Sequence, residues 1–548
     1  MKKYIKLLLV GAVAVLSTTM VSCSGDFLDT KPTGAVATSG ALGTTANAAK
    51  AINGISALMC TQHNLYGQGF CGENGVWKSS EFFPSQNFNY NYYANGWAPI
   101  HNQEFYDRKT SVYDSYAWYY YYSLVGGANA IIAHIDAASG SEEEKAFVKA
   151  QALTFRAYSF EKLMHYYCHR WQDSNNGADP GIILRLDEST GDAPLSTMAE
   201  CYAQIYKDCQ EAVALFEKSG ISRDAAKVWL PTKNVAYAVW ARAALTRQDY
   251  GTALEKAKLA EEGYPLMSNS DYQAGFCRPT SEWLFGSFGG SEENMWYYAN
   301  GVQFACNGYY TKKTPCGAGT IGRDLINRIP NNDARKALFL TEDKFPGYDF
   351  GYSTATNKDV VDQTYGIFGG STYLTAKGTP PIVAAVYNYI QSVVPDAYSN
   401  GYAYLDGQLK FQVFEQPGIS YLPFIRTSEM VLIEAEANYF LDRPGDAQAA
   451  LVKLNKTSGR NTDYTCTKTG QALFDEIVDY RCLELWGEGS EWSDFKRWKK
   501  DIVRKGFAQG GNAHASVAKT ISGSGAWTWI IPQNETDYNS ALKDSKEQ

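Results

Sequence analysis

"NVAYAVWARAALTRQDYGTALEKAKLAEEGYP", residues 234–265, decides how the rest of the chain is read. It contains two helical runs, and Tyr237, Ala241, Tyr250, Ala253, Ala260 and Pro265 fall on positions of the roughly 34-residue tetratricopeptide pattern, with Tyr237 where that pattern prefers Trp. Small residues at these positions let two helices approach closely. Helix pairs therefore become the unit to look for in both directions.

Upstream, "SEEEKAFVKAQALTFRAYSFEKLMHYY" places Ser141 three residues before Glu144, a capping box, and predicts a helix to about Tyr167. "TMAECYAQIYKDCQEAVALFEKSG" repeats the device with Thr197 and Glu200, carries an apolar stripe through Tyr202, Ile205, Cys209, Val213 and Phe216, and stops at Gly220. "AAKAINGISALM" (48–59) and "YDSYAWYYYYSLVGGANAIIAHID" (113–136) form a first pair, and 426–456 is a weaker echo of the tetratricopeptide pattern. Between Pro265 and Arg426 the periodicity fades into Gly, Tyr, Asn, Thr and Pro. The expected fold is mostly α: about four tetratricopeptide-like pairs (44–136, 141–218, 233–264, 426–505) winding into a right-handed superhelical scaffold. Irregular insertions with short strands, chiefly 265–425, are expected to gather on one face, often the binding face.

The N-terminus predicts export. Lys2, Lys3 and Lys6 precede an apolar run from Leu7 to Leu16 and then Met20-Val21-Ser22-Cys23, a signal peptide (1–22) too short to span a bilayer. The last four residues resemble a bacterial lipobox, which makes Cys23 a lipidation site and 23–40 a tether. A net charge of −8 with scattered basic residues excludes nucleic acid as a partner. The chain is 45% apolar and 14% aromatic, with 39 tyrosines and 13 tryptophans, so it is globular and its tyrosine excess needs a cause. Ten cysteines beyond Cys23 are too dilute for a disulfide scaffold. Cys60 with Cys71 and Cys306 with Cys316 are pairing candidates, free buried thiols the alternative, and Cys201 and Cys209 lie too far apart on one helix to bond.

Enzyme chemistry finds no constellation. His165 and His169 share a helical face, but the Glu of H-E-x-x-H is missing. "GAGTIG" (317–322) follows no apolar strand, and no G-x-S-x-G occurs. No catalytic residue, metal or cofactor is expected. "FFPSQNFNYNYYANGW" (82–97), by contrast, packs seven aromatics and four asparagines without a charge and reads as a long loop with partly exposed rings. Flat rings cover the apolar face of a pyranose, while amides bond its hydroxyls without a charge to desolvate. Trp97, beside Gly96 and Asn95, is the first candidate for sugar stacking. Trp77, Tyr92 and Tyr93 follow, then Trp283 and Trp296. Tyr119 to Tyr122 lie on a helix and are assigned mainly to core and helix contacts.

Several segments, in order, resemble the SusD/RagB family of Bacteroidetes outer-membrane lipoproteins: the lipobox with "CSGDFLDTKPTG", "ALTFRAYSFEKLMHYY", "PFIRTSEMVLIEAEANYFL", "YRCLELWGEGSEWSDFKRWKK" and "WTWIIPQNE". The fourth is the most specific, through Arg481, Glu484, Leu485, Glu488, Gly489, Asp494, Arg497 and Trp498. Tyr480 and Glu491 depart from it where the family tends to carry Glu and Arg, at positions that read as helix packing and ion pairing. The resemblance implies a lipid-anchored, outward-facing glycan-binding protein, not an enzyme, that delivers oligosaccharide to a SusC-like TonB-dependent transporter. A peptide-binding RagB-like protein and a surface glycoside hydrolase are the alternatives.

Overall fold

The computed structural model describes residues 41–62, 70–90, 98–290, 304–308, 319–346, 366–368, 381–395, 402–404, 406–415, 418–506, 509–513, 517–523 and 527–542. Helices dominate. α1 (Thr45–Leu58), α2 (Val112–His134), α3 (Glu142–Tyr167), α4 (Met198–Ser219), α5 (Lys233–Thr246) and α6 (Tyr250–Glu261) precede α7 (Thr427–Phe440), α8 (Pro444–Val452), α9 (Gly470–Glu484) and α10 (Glu491–Trp498). Neighbours in sequence pack side by side from α2 to α6, and α6 then packs on α7, which carries the stack across the irregular stretch between them.

Local chemistry sets the helix ends. Ser141 accepts from the Glu144 amide at 3.1 Å while Glu144 accepts from the Ser141 amide at 3.2 Å. The same Glu144 carboxylate receives Thr45 Oγ1 at 2.6 Å, so the cap of α3 also fastens α1. Thr197 and Glu200 form the second box, and Gly220 ends α4 at φ 60°. α5 and α6 are joined by Gln248 at φ 63° and by Asp249, whose side chain accepts from the Thr252 amide. Ala241, Ala253 and Ala260 are fully buried between them, as close approach requires.

Strands are short and paired antiparallel: β1 (Phe88–Tyr90) with β3 (Gly319–Ile321), β2 (Trp283–Gly286) with β6 (Pro423–Arg426), and β4 (Gly366–Phe368) with β5 (Tyr402–Tyr404). Beneath β2 and β6 lies an ionic cluster with almost no solvent exposure. Arg426 bonds Glu282 (2.6 Å), Glu484 (3.0 Å) and Glu488 (2.6 Å), Arg335 bonds Asp333 (2.6 Å) and Glu484 (2.9 Å), and Lys410 bonds Glu488 (2.6 Å). Arg460 stands 3.5 Å from Glu282 and 3.7 Å from Glu484. Four basic and four acidic groups thus cancel, which makes their burial tolerable.

Part of the tyrosine excess has a polar cause. Glu73 is fully buried and accepts the hydroxyls of Tyr120 (3.1 Å), Tyr121 (3.0 Å) and Tyr158 (2.7 Å). Three phenols solvate one carboxylate that water cannot reach. Cys71 is a buried thiol, so the Cys60–Cys71 bridge is absent; Cys316 lies outside the described residues. Burial pushes the Cys71 thiol up to about 11, which keeps it protonated. Among the described residues no helix is long and apolar enough to cross a membrane.

Candidate functional site

The stretch 82–97 begins inside the protein. Trp77–Phe82 forms a π-helical turn, and Phe82, Phe83 and Phe88 are all buried. These three rings therefore belong to core, not to an exposed loop. Phe88 is stacked between Phe82 (5.0 Å between centroids, 14°) and Trp486 (5.1 Å, 17°), with Phe304 edge-on at 6.1 Å. Trp77 is 2% exposed, its ring edge-on to Phe424 at 5.7 Å. Gly489 explains itself here: at φ 72°, a Cβ would sit 2.6 Å from the Trp77 ring. Trp283 in β2 is 1% exposed. Both are buried and are corrected to core residues, although Trp283 also borders a groove formed with the end of α4 and the start of α5. An indole can cover a sugar or fill the interior, and at these positions packing has claimed the ring. Tyr92, Tyr93, Asn95, Trp97, Trp296 and Cys23 lie outside the described residues.

What the structure does describe is the base from which those aromatic segments spring. In β1 and β3, Phe88 pairs with Ile321, Asn89 with Thr320 and Tyr90 with Gly319. The last residue before 91–97 thus faces the first residue after 309–318. Gly319 is needed, because a Cβ there would approach the Phe88 ring to 2.2 Å. Phe304, the first residue after 291–303, packs on Phe82, Phe83 and Phe88 and gives its carbonyl to Gln408 Nε2 at 2.7 Å. Segment 91–97, and the segments 291–303 and 309–318 far from it in sequence, adjoin one aromatic footing.

Polar clamps fix that footing. Glu491 accepts the amides of Gln86 and Asn87, both at 2.7 Å, and Asn87 Nδ2 at 3.1 Å. Trp486 Nε1 donates to the Asn87 carbonyl at 2.7 Å. Arg504 donates to the carbonyls of Pro84 (3.1 Å) and Ser85 (3.2 Å) on one side of the segment and of His101 (2.6 Å) on the other. One guanidinium therefore ties both stems of 86–100. Asn89 and Asn512 bond at 3.1 Å, and Asn512 donates onward to the Ile321 carbonyl at 2.8 Å. Burial pushes the Glu491 carboxyl up to about 7, although the amides of Asn87 and Gln86 pull the other way. Burial also lowers Arg504, partly offset by Glu491.

Sequence reasoning missed Arg504 and Asn512, which carry no local signal. Glu491 and Trp486 were signalled only as members of the C-terminal segment, with Glu491 read as helix packing or ion pairing rather than as a loop clamp. The histidines separate chemically: His165 lies 3.0 Å from Glu161 and 2.9 Å from Thr246, whereas the exposed His169 faces Asp179. Among the described residues no group of three or more His, Cys, Asp or Glu is placed to hold a metal.

Comparisons with known proteins recover the same fold. Residues 26–245 match the family described as "Starch-binding associating with outer membrane", and residues 415–546 match the family described as "SusD family". A SusD-like carbohydrate-binding protein from Bacteroides vulgatus is similar in fold, at 20% identity and TM-score 0.70 over 92% of this chain and 98% of that one. A SusD superfamily protein from Bacteroides thetaiotaomicron matches at 22% identity and TM-score 0.65 over 91% and 98%. Surface glycan-binding protein A from the same organism matches at 16% identity and TM-score 0.61 over 92% and 98%. No curated protein matches by sequence.

Proposed function

Since this chain belongs to the SusD/RagB family, we propose that it captures oligosaccharide or polysaccharide at the cell surface through the aromatic and amide side chains of 91–97 and 291–303. The single observation that carries this reading is the shared footing of those segments. A sugar platform needs rings held in fixed relation by a rigid frame, and here the frame is a buried aromatic stack closed by Glu491 and Arg504. Trp97, Tyr92, Tyr93, Asn95 and Trp296 are the proposed contacts. The protein acts by binding and not by catalysis, anchored through Cys23 to the outer membrane, facing outward and passing its glycan to a SusC-like TonB-dependent transporter.

The test is one variant read two ways. Trp97→Ala is expected to leave the melting temperature within a degree or two of wild type while weakening glycan affinity by about 5- to 150-fold, the equivalent of roughly 1–3 kcal/mol of stacking. A large drop in melting temperature with unchanged affinity would assign Trp97 to core and remove the segment as the site. For the anchor, Cys23→Ala should move the protein from membrane to soluble fractions, and membrane retention equal to wild type would refute lipidation there.

A further inference from the structure

A second groove shares no lining residue with the aromatic footing. It has a volume of about 1120 Å³ and lies where the C-terminal end of α4, the first turn of α5 and the segment 278–283 converge. Arg223 and Arg278 both line it. Arg223 is held by three main-chain carbonyls, the two hydrogens of Nη1 being shared among Leu230 (2.8 Å), Leu284 (3.0 Å) and Val228 (3.3 Å), and donates through Nη2 to the Tyr264 hydroxyl (3.3 Å). Among the described residues its Nε–H and one Nη2–H meet no acceptor. Arg278 is exposed and stands over the Phe414 ring at 4.1 Å.

Among the described residues neither arginine makes a direct ion pair with a carboxylate, although the charge of the adjacent Asp224 acts on Arg223, in a chain whose net charge is −8. Elsewhere in the helical stack acids find the arginines: Arg156 pairs with Asp208 at 2.8 Å and Arg242 with Glu429 at 2.6 Å. In the groove, Lys233 and Glu217 pair with each other at 3.3 Å, so Glu217 is engaged by a cation other than the two arginines. Burial lowers the proton affinity of Arg223, offset in part by Tyr264 and Asp224. Guanidinium forks recognise planar or tetrahedral oxyanions by paired hydrogen bonds, and Tyr264 and Tyr421 border the same space with half-buried rings.

We infer that this groove binds the anionic groups of an acidic glycan, a uronate carboxylate or a sulfate ester, with Arg223 and Arg278 as the recognising residues. The inference rests on the glycan-capture reading and adds to it a second site and a charge class. The groove is large enough for several sugar units, so an acidic polysaccharide could be held at two places on one molecule.

The test uses the full chain and matched pairs of ligands: oligogalacturonate with its methyl ester, and a sulfated galactan oligosaccharide with its desulfated form. Isothermal titration is expected to show at least one anionic member binding roughly ten-fold more tightly than its neutral partner, with a preference that fades as salt rises. Arg278→Gln and Arg223→Lys, each verified as folded by circular dichroism, should lose that preference while neutral glycans still bind. Equal affinities within every pair, with neutral binding intact, would overturn the acidic groove and leave glycan capture standing. A preference that survives both arginine variants but disappears in Trp97→Ala would move the anion to the aromatic site and also overturn it. No binding of any glycan, charged or neutral, sinks both readings.

Discussion

Glu491 shows how much one side chain can decide. It receives two backbone amides and one side-chain amide at the root of the aromatic segment. Its carboxyl is raised from 4.5 to about 7, burial being the largest cause. A raised carboxyl means that the native state binds more protons than the unfolded state between those two values. Stability contributed through this group is therefore full below about pH 4.5 and falls as pH rises through 7, by at most roughly 3 kcal/mol. Glu491→Gln retains an acceptor for the amides and removes the titration. The difference between wild-type and variant unfolding free energies, measured by urea denaturation from pH 4.5 to 8, should shrink at low pH and favour the variant at high pH. A difference independent of pH would show that Glu491 does not titrate in this window.

At the scale of elements, caps and turns do most of the specifying. The Ser141 and Thr197 boxes were legible because the reciprocal bonds join residues three apart. Thr197→Ala should cost about 1 kcal/mol, and thermal melts of wild type and variant would reveal it. A cost near zero would mean that Asp179, whose carbonyl already accepts the Met198 amide, holds the start of α4 without the cap. The aromatic stretch behaved differently. Its composition announced an unusual segment, but composition cannot divide seven rings between interior and surface. Phe82, Phe83 and Phe88 went inward because Phe304 and Trp486, more than two hundred residues away in sequence, supply the opposing faces.

For the whole molecule, the ionic cluster under β2 and β6 is the joint between the helical stack and the irregular middle. Glu282 comes from the middle segment, Arg426 from the strand that leads into α7, and Glu484 and Glu488 from the C-terminal segment. Glu484 is held well below the usual carboxylate range by Arg460, Arg426 and Arg335, against the opposing effect of burial. It stabilises the fold above the unfolded carboxylate value, and that contribution is lost as pH falls through its depressed value. Glu484→Gln leaves three guanidiniums short of one charge in a water-free setting. The expected loss is about 3–5 kcal/mol, read from guanidinium chloride unfolding at pH 7. A loss under about 1 kcal/mol would show that Glu282, Glu488 and Asp333 suffice as counter-ions.

By itself the sequence determined the helix pairs, their caps and the class of fold, because these depend on spacings of three to four residues and on small side chains at repeat positions. It also marked the C-terminal segment containing Glu484, Glu488 and Gly489 as distinctive, though not why. Tertiary structure alone decided that Gly489 makes room for Trp77, that Trp77 and Trp283 are core, and that Arg504 closes the aromatic segment by gripping both of its stems. Those outcomes depend on contacts between residues hundreds of positions apart. Exposure of a ring and partnership of a charge are properties of the space around a residue, and that space is filled by parts of the chain that no local pattern can name.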